Sequence, residues 1–92
     1  AATTKLAMPI FKQYREADGR FHFKLDDGQG RTLLQSGGYD SPQEAGQTIA
    51  RIRAARALGD DDSALLADGA SAAEVERALA MLAAAEAAKA RD

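Results

Sequence analysis

Two glycine-bearing turns bracket the pentapeptide Phe21-His22-Phe23-Lys24-Leu25, and this limits the fold more than any other feature of the chain. Phe21, Phe23 and Leu25 recur at period two, so they share one face of a strand, while His22 and Lys24 share the other. All three Phe residues fall between positions 11 and 23, which makes this the densest apolar surface in the sequence. Upstream, Glu16-Ala17-Asp18-Gly19 reads as a hairpin turn, with Gly19 free to take positive φ. Downstream, Asp26-Asp27-Gly28-Gln29-Gly30 reads as a second turn. Runs 10–15, 20–25 and 32–36 are then three strands of an antiparallel meander with one apolar face.

A helix must cover that face, and the next segment carries the signals for one. Ser41 can accept from first-turn amides, Pro42 suits the first helical position, and Glu44 completes a capping box. Ala45, Ile49, Ile52 and Ala55 or Arg56 form an amphipathic stripe, and Leu58-Gly59 predicts the end of the helix, with Gly59 as a left-handed cap. Asp60-Asp61-Asp62-Ser63 reads as a solvated linker, and Leu65-Leu66 as a pair docked on the sheet or the first helix. Ser71 and Glu74 repeat the capping-box spacing ahead of a second helix, about 72–89, lined by Val75, Leu79 and Leu82. Ala supplies 13 of residues 63–90, so this helix forms by propensity as much as by packing. The expected class is α+β: a three-stranded antiparallel meander with a helix on one face, plus a C-terminal Ala-rich helix. The expected division is a flexible leader over 1–8, a strand-strand-strand-helix unit over 9–59, and an acidic linker with the C-terminal helix over 60–92.

Composition excludes most catalytic classes. Of the 46% apolar residues, 22 are Ala, which leaves only 20 larger side chains. Those can hold one sheet with one or two helices, but cannot also line a deep substrate cleft. With no Cys there is neither a disulfide nor a thiolate metal site. One His and scattered carboxylates imply no metal centre, and nothing in the sequence calls for a cofactor. His22 lacks a Ser, Cys or acidic partner at a catalytic spacing. Asp26-Asp27-Gly28 lacks the ligand spacing and closing Glu of an EF-hand. Gly28-x-Gly30 neither continues to a third Gly nor opens a helix. Asp60-Asp61-Asp62 likewise reads as a linker, not a metal site. No apolar run approaches the roughly 18 residues of a membrane span, and no signal-peptide pattern is present, so a soluble cytoplasmic protein without membrane contact is expected. The chain starts Ala-Ala-Thr-Thr without Met, which is the expectation for a piece of a longer protein or for a cleaved tag.

The pattern Phe11-x-x-Tyr14, Gly19-x-Phe21-x-Phe23-x-Leu25, Gly30-x-x-Leu33-Leu34-x-Ser36 and Gly38-Tyr39-x-Ser41 resembles the YegP-like family. Glu44-Ala45 and the Ile49-x-x-Ile52 helix continue the likeness, which spans roughly residues 9–56. The resemblance implies a strand–strand–strand–helix unit, usually found in tandem in small bacterial proteins, with no established biochemical activity. Here only one such unit is present. A single unit followed by an Ala-rich helix also resembles the C-terminal extension of some bacterial tryptophan–tRNA ligases, on the stretches Phe11 to Glu16 and Asp18 to Phe21. None of the catalytic signatures of such a ligase occurs in these residues. By that resemblance the chemistry would lie elsewhere in a parent enzyme.

The candidate binding residues are Lys12, Tyr14, Arg20, His22 and Lys24, assigned to the outer sheet face. Cations over an open sheet with an aromatic ring form one pattern of RNA contact, here with a tRNA backbone. The ordinary alternative is a solvated face whose long side chains cover apolar atoms. Residues 1–58 carry nine Lys/Arg against six Asp/Glu, whereas residues 59–92 carry three against eight. That mild asymmetry falls short of the basic stripe of a committed nucleic-acid binder. A lone three-stranded unit also has an open edge, which either the C-terminal helix or a second copy of the chain must cover; pairing into a homodimer is preferred. Two functions follow: a non-catalytic accessory domain that assists tRNA binding, or a protein-interaction or dimerisation module with no nucleic-acid role.

Overall fold

The computed structural model describes residues 8–90. Three strands, β1 (Ile10–Arg15), β2 (Phe21–Asp26) and β3 (Thr32–Gln35), form an antiparallel sheet in the order β1-β2-β3. They are followed by α1 (Pro42–Ala55), a 3-10 helix (Asp60–Leu65) and α2 (Ala72–Ala90). This is the expected α+β meander with one helix on the sheet and an Ala-rich helix at the C-terminus. The leader assigned to 1–8 lies outside the described residues except for Met8.

The alternation in β2 sets the layering. Phe23 and Leu25 are fully buried in one cluster with Leu33, Leu34, Ala45, Ile52, Val75, Ala78 and Leu79, whereas Phe21, half-buried, lies outside that cluster. Each fully buried large side chain in that cluster is stabilised by about 1.5–3 kcal/mol through removal from water. The cluster takes residues from both helices, so α1 and α2 cover the same side of the sheet and leave the other side open. Aromatic rings complete the packing around Phe23. The Phe11 ring meets it edge-on at 6.2 Å, and the Tyr39 ring stacks on it at 6.0 Å.

Ser36 explains why a small hydroxyl follows β3. Its Oγ accepts from the buried Phe23 N–H at 2.8 Å, while its own N–H donates to the Phe23 carbonyl at 2.9 Å. The side chain thus takes over one bond of the ladder just where the backbone leaves the strand. Tyr39 then resumes pairing through two backbone bonds with Phe21.

The helix starts follow the sequence closely. Ser41 caps α1 by accepting from the Glu44 N–H at 3.2 Å, and Glu44 reaches back to the Asp40 N–H. Ser71 and Glu74 exchange the corresponding pair at α2. The end of α1 differs from the expectation of residue 58. The helix stops at Ala55, Arg56 takes the left-handed conformation (φ 55°), and Gly59 is extended at φ −78°. Leu58 supplies the reason. At about 100° per residue, a continued helix would carry it roughly 120° away from the stripe marked by Ile52. Breaking at Arg56 returns Leu58 to the core, where it packs against the buried cluster. Ala55 and Arg56 consequently stay exposed, not on the buried stripe.

The acidic stretch is not a solvated linker throughout. Asp62 is only 4% exposed, and its carboxylate accepts from Arg51 Nη1 (2.9 Å), Arg51 Nη2 (2.8 Å) and the Gly59 N–H (2.7 Å). Arg51 therefore fastens the 3-10 helix to α1. Beyond that helix, Leu66 forms a bridge with Leu34, and the Ala67 N–H donates to the Leu33 carbonyl at 3.0 Å. This short segment, not α2, lies along the outer edge of β3. Among the described residues nothing pairs with the outer edge of β1, where Ile10 is 50% exposed.

Candidate nucleic-acid interface

The open side of the sheet carries the side chains of alternate residues. Register pairs Lys12 with Lys24 and Tyr14 with His22, so these four form a quartet on the outer face of β1 and β2. The rings of Tyr14 and His22 stack across the strands, with centroids 5.5 Å apart and planes 15° from parallel. His22 Nδ1 lies 3.4 Å from the Ser36 carbonyl oxygen, and its Nε2 lies 3.5 Å from Asp18 Oδ2 without a hydrogen bond.

Arg20 is engaged elsewhere. It precedes β2, and its aliphatic stem lies so close over Gly38 that a Cβ there would sit 2.5 Å from Arg20 Cδ. Its guanidinium is directed to the Gly38 carbonyl (3.4 Å) and to Asp40 (3.8 Å). Of the five residues singled out from the sequence, the sheet register groups four, and Arg20 serves the loop that follows β3.

Carboxylates temper the charge on this face, and cation counting overlooked them. Lys12 Nζ is 3.3 Å from Asp26, the residue diagonal to it on β2. The Arg20 backbone N–H, 2.8 Å from Asp18 Oδ1, holds the Asp18 carboxyl below the usual carboxylate range, and His22 adds to the pull. Lys24 makes no ion pair among the described residues. Counting outward from the Gly19 turn would have placed Lys12 opposite Lys24 and diagonal to Asp26, so that pair was within reach of the sequence.

Among the described residues, no group of three or more His, Asp or Glu side chains is arranged to hold a metal ion. The cleft of about 780 Å³ on the other side of the molecule runs between α1 and α2. Ile49, Ala50, Ala54 and Ala83 line it, and the Arg53–Glu86 ion pair spans the two helices beside it. It holds no Ser, Thr or His that could act as a nucleophile or base. No helix among the described residues is long and apolar enough to cross a membrane.

Residues 16–57 match a family described as "Domain of unknown function (DUF1508)". The likeness to that family therefore covers 42 of the 92 residues. This is the YegP-like family that the spacing pattern resembles. The match begins in the first turn, passes through β2 and β3, and closes just after α1, so β1 lies ahead of it. The chain is also 58% identical over 59 residues to the tryptophan–tRNA ligase of Xanthomonas axonopodis pv. citri (strain 306), an alignment covering 64% of the chain and 14% of that protein. It is 62% identical over 50 residues to the tryptophan–tRNA ligase of Xanthomonas campestris pv. campestris, covering 54% of the chain and 12% of that protein. With the tryptophan–tRNA ligase of Xylella fastidiosa (strain 9a5c) identity is 61% over 51 residues, covering 55% and 12%. The chain thus spans about one-seventh or less of the relatives it matches. No solved structure matches it.

Proposed function

We propose that the DUF1508 unit serves as a non-catalytic domain appended to a tryptophan–tRNA ligase, in the cytoplasm, and assists tRNA binding through the outer sheet face. The observation that carries this reading is the 58–62% identity to tryptophan–tRNA ligases, confined to a small fraction of their length. The Lys12, Tyr14, His22 and Lys24 quartet supplies a face on which a phosphate backbone could rest. Charge sets the scale. Lys12 is already matched by Asp26, and residues 59–92 carry a surplus of five negative charges, so binding should be weak, with a Kd of roughly tens of micromolar or looser.

The test is a titration of the 92-residue chain with tRNA at low salt, following the amide resonances of β1 and β2. Log affinity should fall linearly with log salt, and Lys24→Ala should lower the slope by about one. Arg20→Ala should leave the slope unchanged, since that guanidinium already faces Asp40. If no sheet-face resonance moves at millimolar tRNA, tRNA contact is refuted. A protein-contact module then replaces it. The unpaired outer edge of β1 and the exposed Ile10 favour that second reading, with a second copy of the chain as the simplest partner.

A further inference from the structure

The Tyr14–His22 stack ends at the rim of the sheet. β1 is the edge strand, and the two rings stack across the β1–β2 pair, so His22 covers one face of Tyr14 and the other looks past the edge. Among the described residues no strand pairs with β1 beyond it. The backbone beside it is also open. The Glu16 N–H donates to the Arg20 carbonyl. Because hydrogen-bonded and non-bonded pairs alternate along an antiparallel ladder, Tyr14 pairs inward with His22, whereas the N–H and C=O of Gln13 and Arg15 point outward. Two residues along the same face stand Lys12 and, opposite it, Lys24.

From this geometry we propose that the free face of Tyr14 receives an unpaired nucleobase, which extends the stack by one layer, while Lys24 and Lys12 meet the phosphates beside it. The proposal rests on the tRNA reading above and narrows it to a single-stranded element. A base inside an A-form duplex has both faces covered by its neighbours, so only an unstacked one can occupy this position. The outward backbone groups of Gln13 and Arg15 flank the ring and can hydrogen-bond a base edge in the way a further strand would. The Gln13 side chain takes no part, since its Nε2 donates to the Pro42 carbonyl on the covered side of the sheet. Lys12 would exchange Asp26 for a phosphate, and Lys24 needs no such exchange.

The test compares a ten-nucleotide single-stranded RNA with a blunt RNA duplex at equal phosphate concentration. The single strand should bind more tightly, and the ring protons of Tyr14 should move upfield as it does. Tyr14→Leu should weaken single-strand binding about tenfold, and Tyr14→Phe should retain it. Should the Leu variant lose its native amide fingerprint, the ring-proton shifts in the unaltered chain decide the matter. If duplex and single strand bind alike, with Lys24→Ala weakening both and Tyr14→Leu neither, stacking is refuted and backbone contact alone remains. If neither RNA binds and tRNA does not either, this proposal falls together with the function on which it rests.

Discussion

Replacing Asp62 with Asn probes the fastening of the 3-10 helix to α1 with almost no change in volume. Three donors converge on the Asp62 carboxylate, two from Arg51 and one from the Gly59 N–H. An Asn amide offers one oxygen and a donor group, so at least one of the three must face a donor. Arg51 is half-exposed and its guanidinium can turn to water, which limits the loss. The remaining cost is that of a charge-assisted bond and an imperfectly satisfied buried group, about 1–2 kcal/mol; Asp62→Ala, which removes every acceptor, should cost about 2–3 kcal/mol. In a domain of this size each kcal/mol lowers Tm by about 4–8 °C. Thermal and urea unfolding followed by circular dichroism would measure both. The effect also has a signature in pH. Arg51 and the Gly59 N–H hold the Asp62 carboxyl below its ordinary value, against the opposing effect of burial. A carboxyl depressed on folding contributes stability that is complete above the unfolded value of about 3.9 and drains as pH falls below it. The Asn variant should therefore close its stability gap with the unaltered protein as the buffer is taken from pH 6 toward pH 3. A loss under about 0.3 kcal/mol, or a double-mutant cycle with Arg51→Ala showing no coupling, would refute the argument.

Two further outcomes concern single positions. Arg56→Gly should raise stability by about 0.5–1 kcal/mol, because Arg56 is held in the left-handed region at the end of α1; a lower Tm would contradict that account. Ser36→Ala should cost about 1–3 kcal/mol and speed hydrogen exchange at the Phe23 amide, which loses its acceptor; unchanged protection there would show that the hydroxyl is not the partner.

What the sequence disclosed and what it concealed divide along the range of the interactions. Phe21-x-Phe23-x-Leu25, the glycine turns and the two Ser–Glu capping boxes act within a few residues, and each appears in the structure where the sequence puts it. The exit from α1 has no glycine to announce it, because Arg56 is forced into a left-handed turn by the need to bring Leu58 to the core. Asp62 is buried because Arg51, on another element, reaches it, and nothing local separates it from Asp60 and Asp61. The outer-face quartet was legible because strand parity is a local property. The diversion of Arg20 was not, since it depends on Gly38 arriving beneath its stem from beyond β3.

The bridge from Leu66 to Leu34 gives the molecule an end that the family likeness does not reach. The DUF1508 match stops at residue 57, yet Leu33 and Leu34 are buried with the help of residues further along the chain, with Val75, Ala78 and Leu79 in the same core. The family-matched segment and the cooperative one therefore have different boundaries. A gene fragment trimmed to the former would lack β1 as well as α2. It would encode a two-stranded sheet with part of its apolar side uncovered and a bare backbone rim on either side, the makings of a sticky ribbon. Any larger protein that carries this segment must bring along the C-terminal splint, or furnish an apolar surface of its own to take the place of α2.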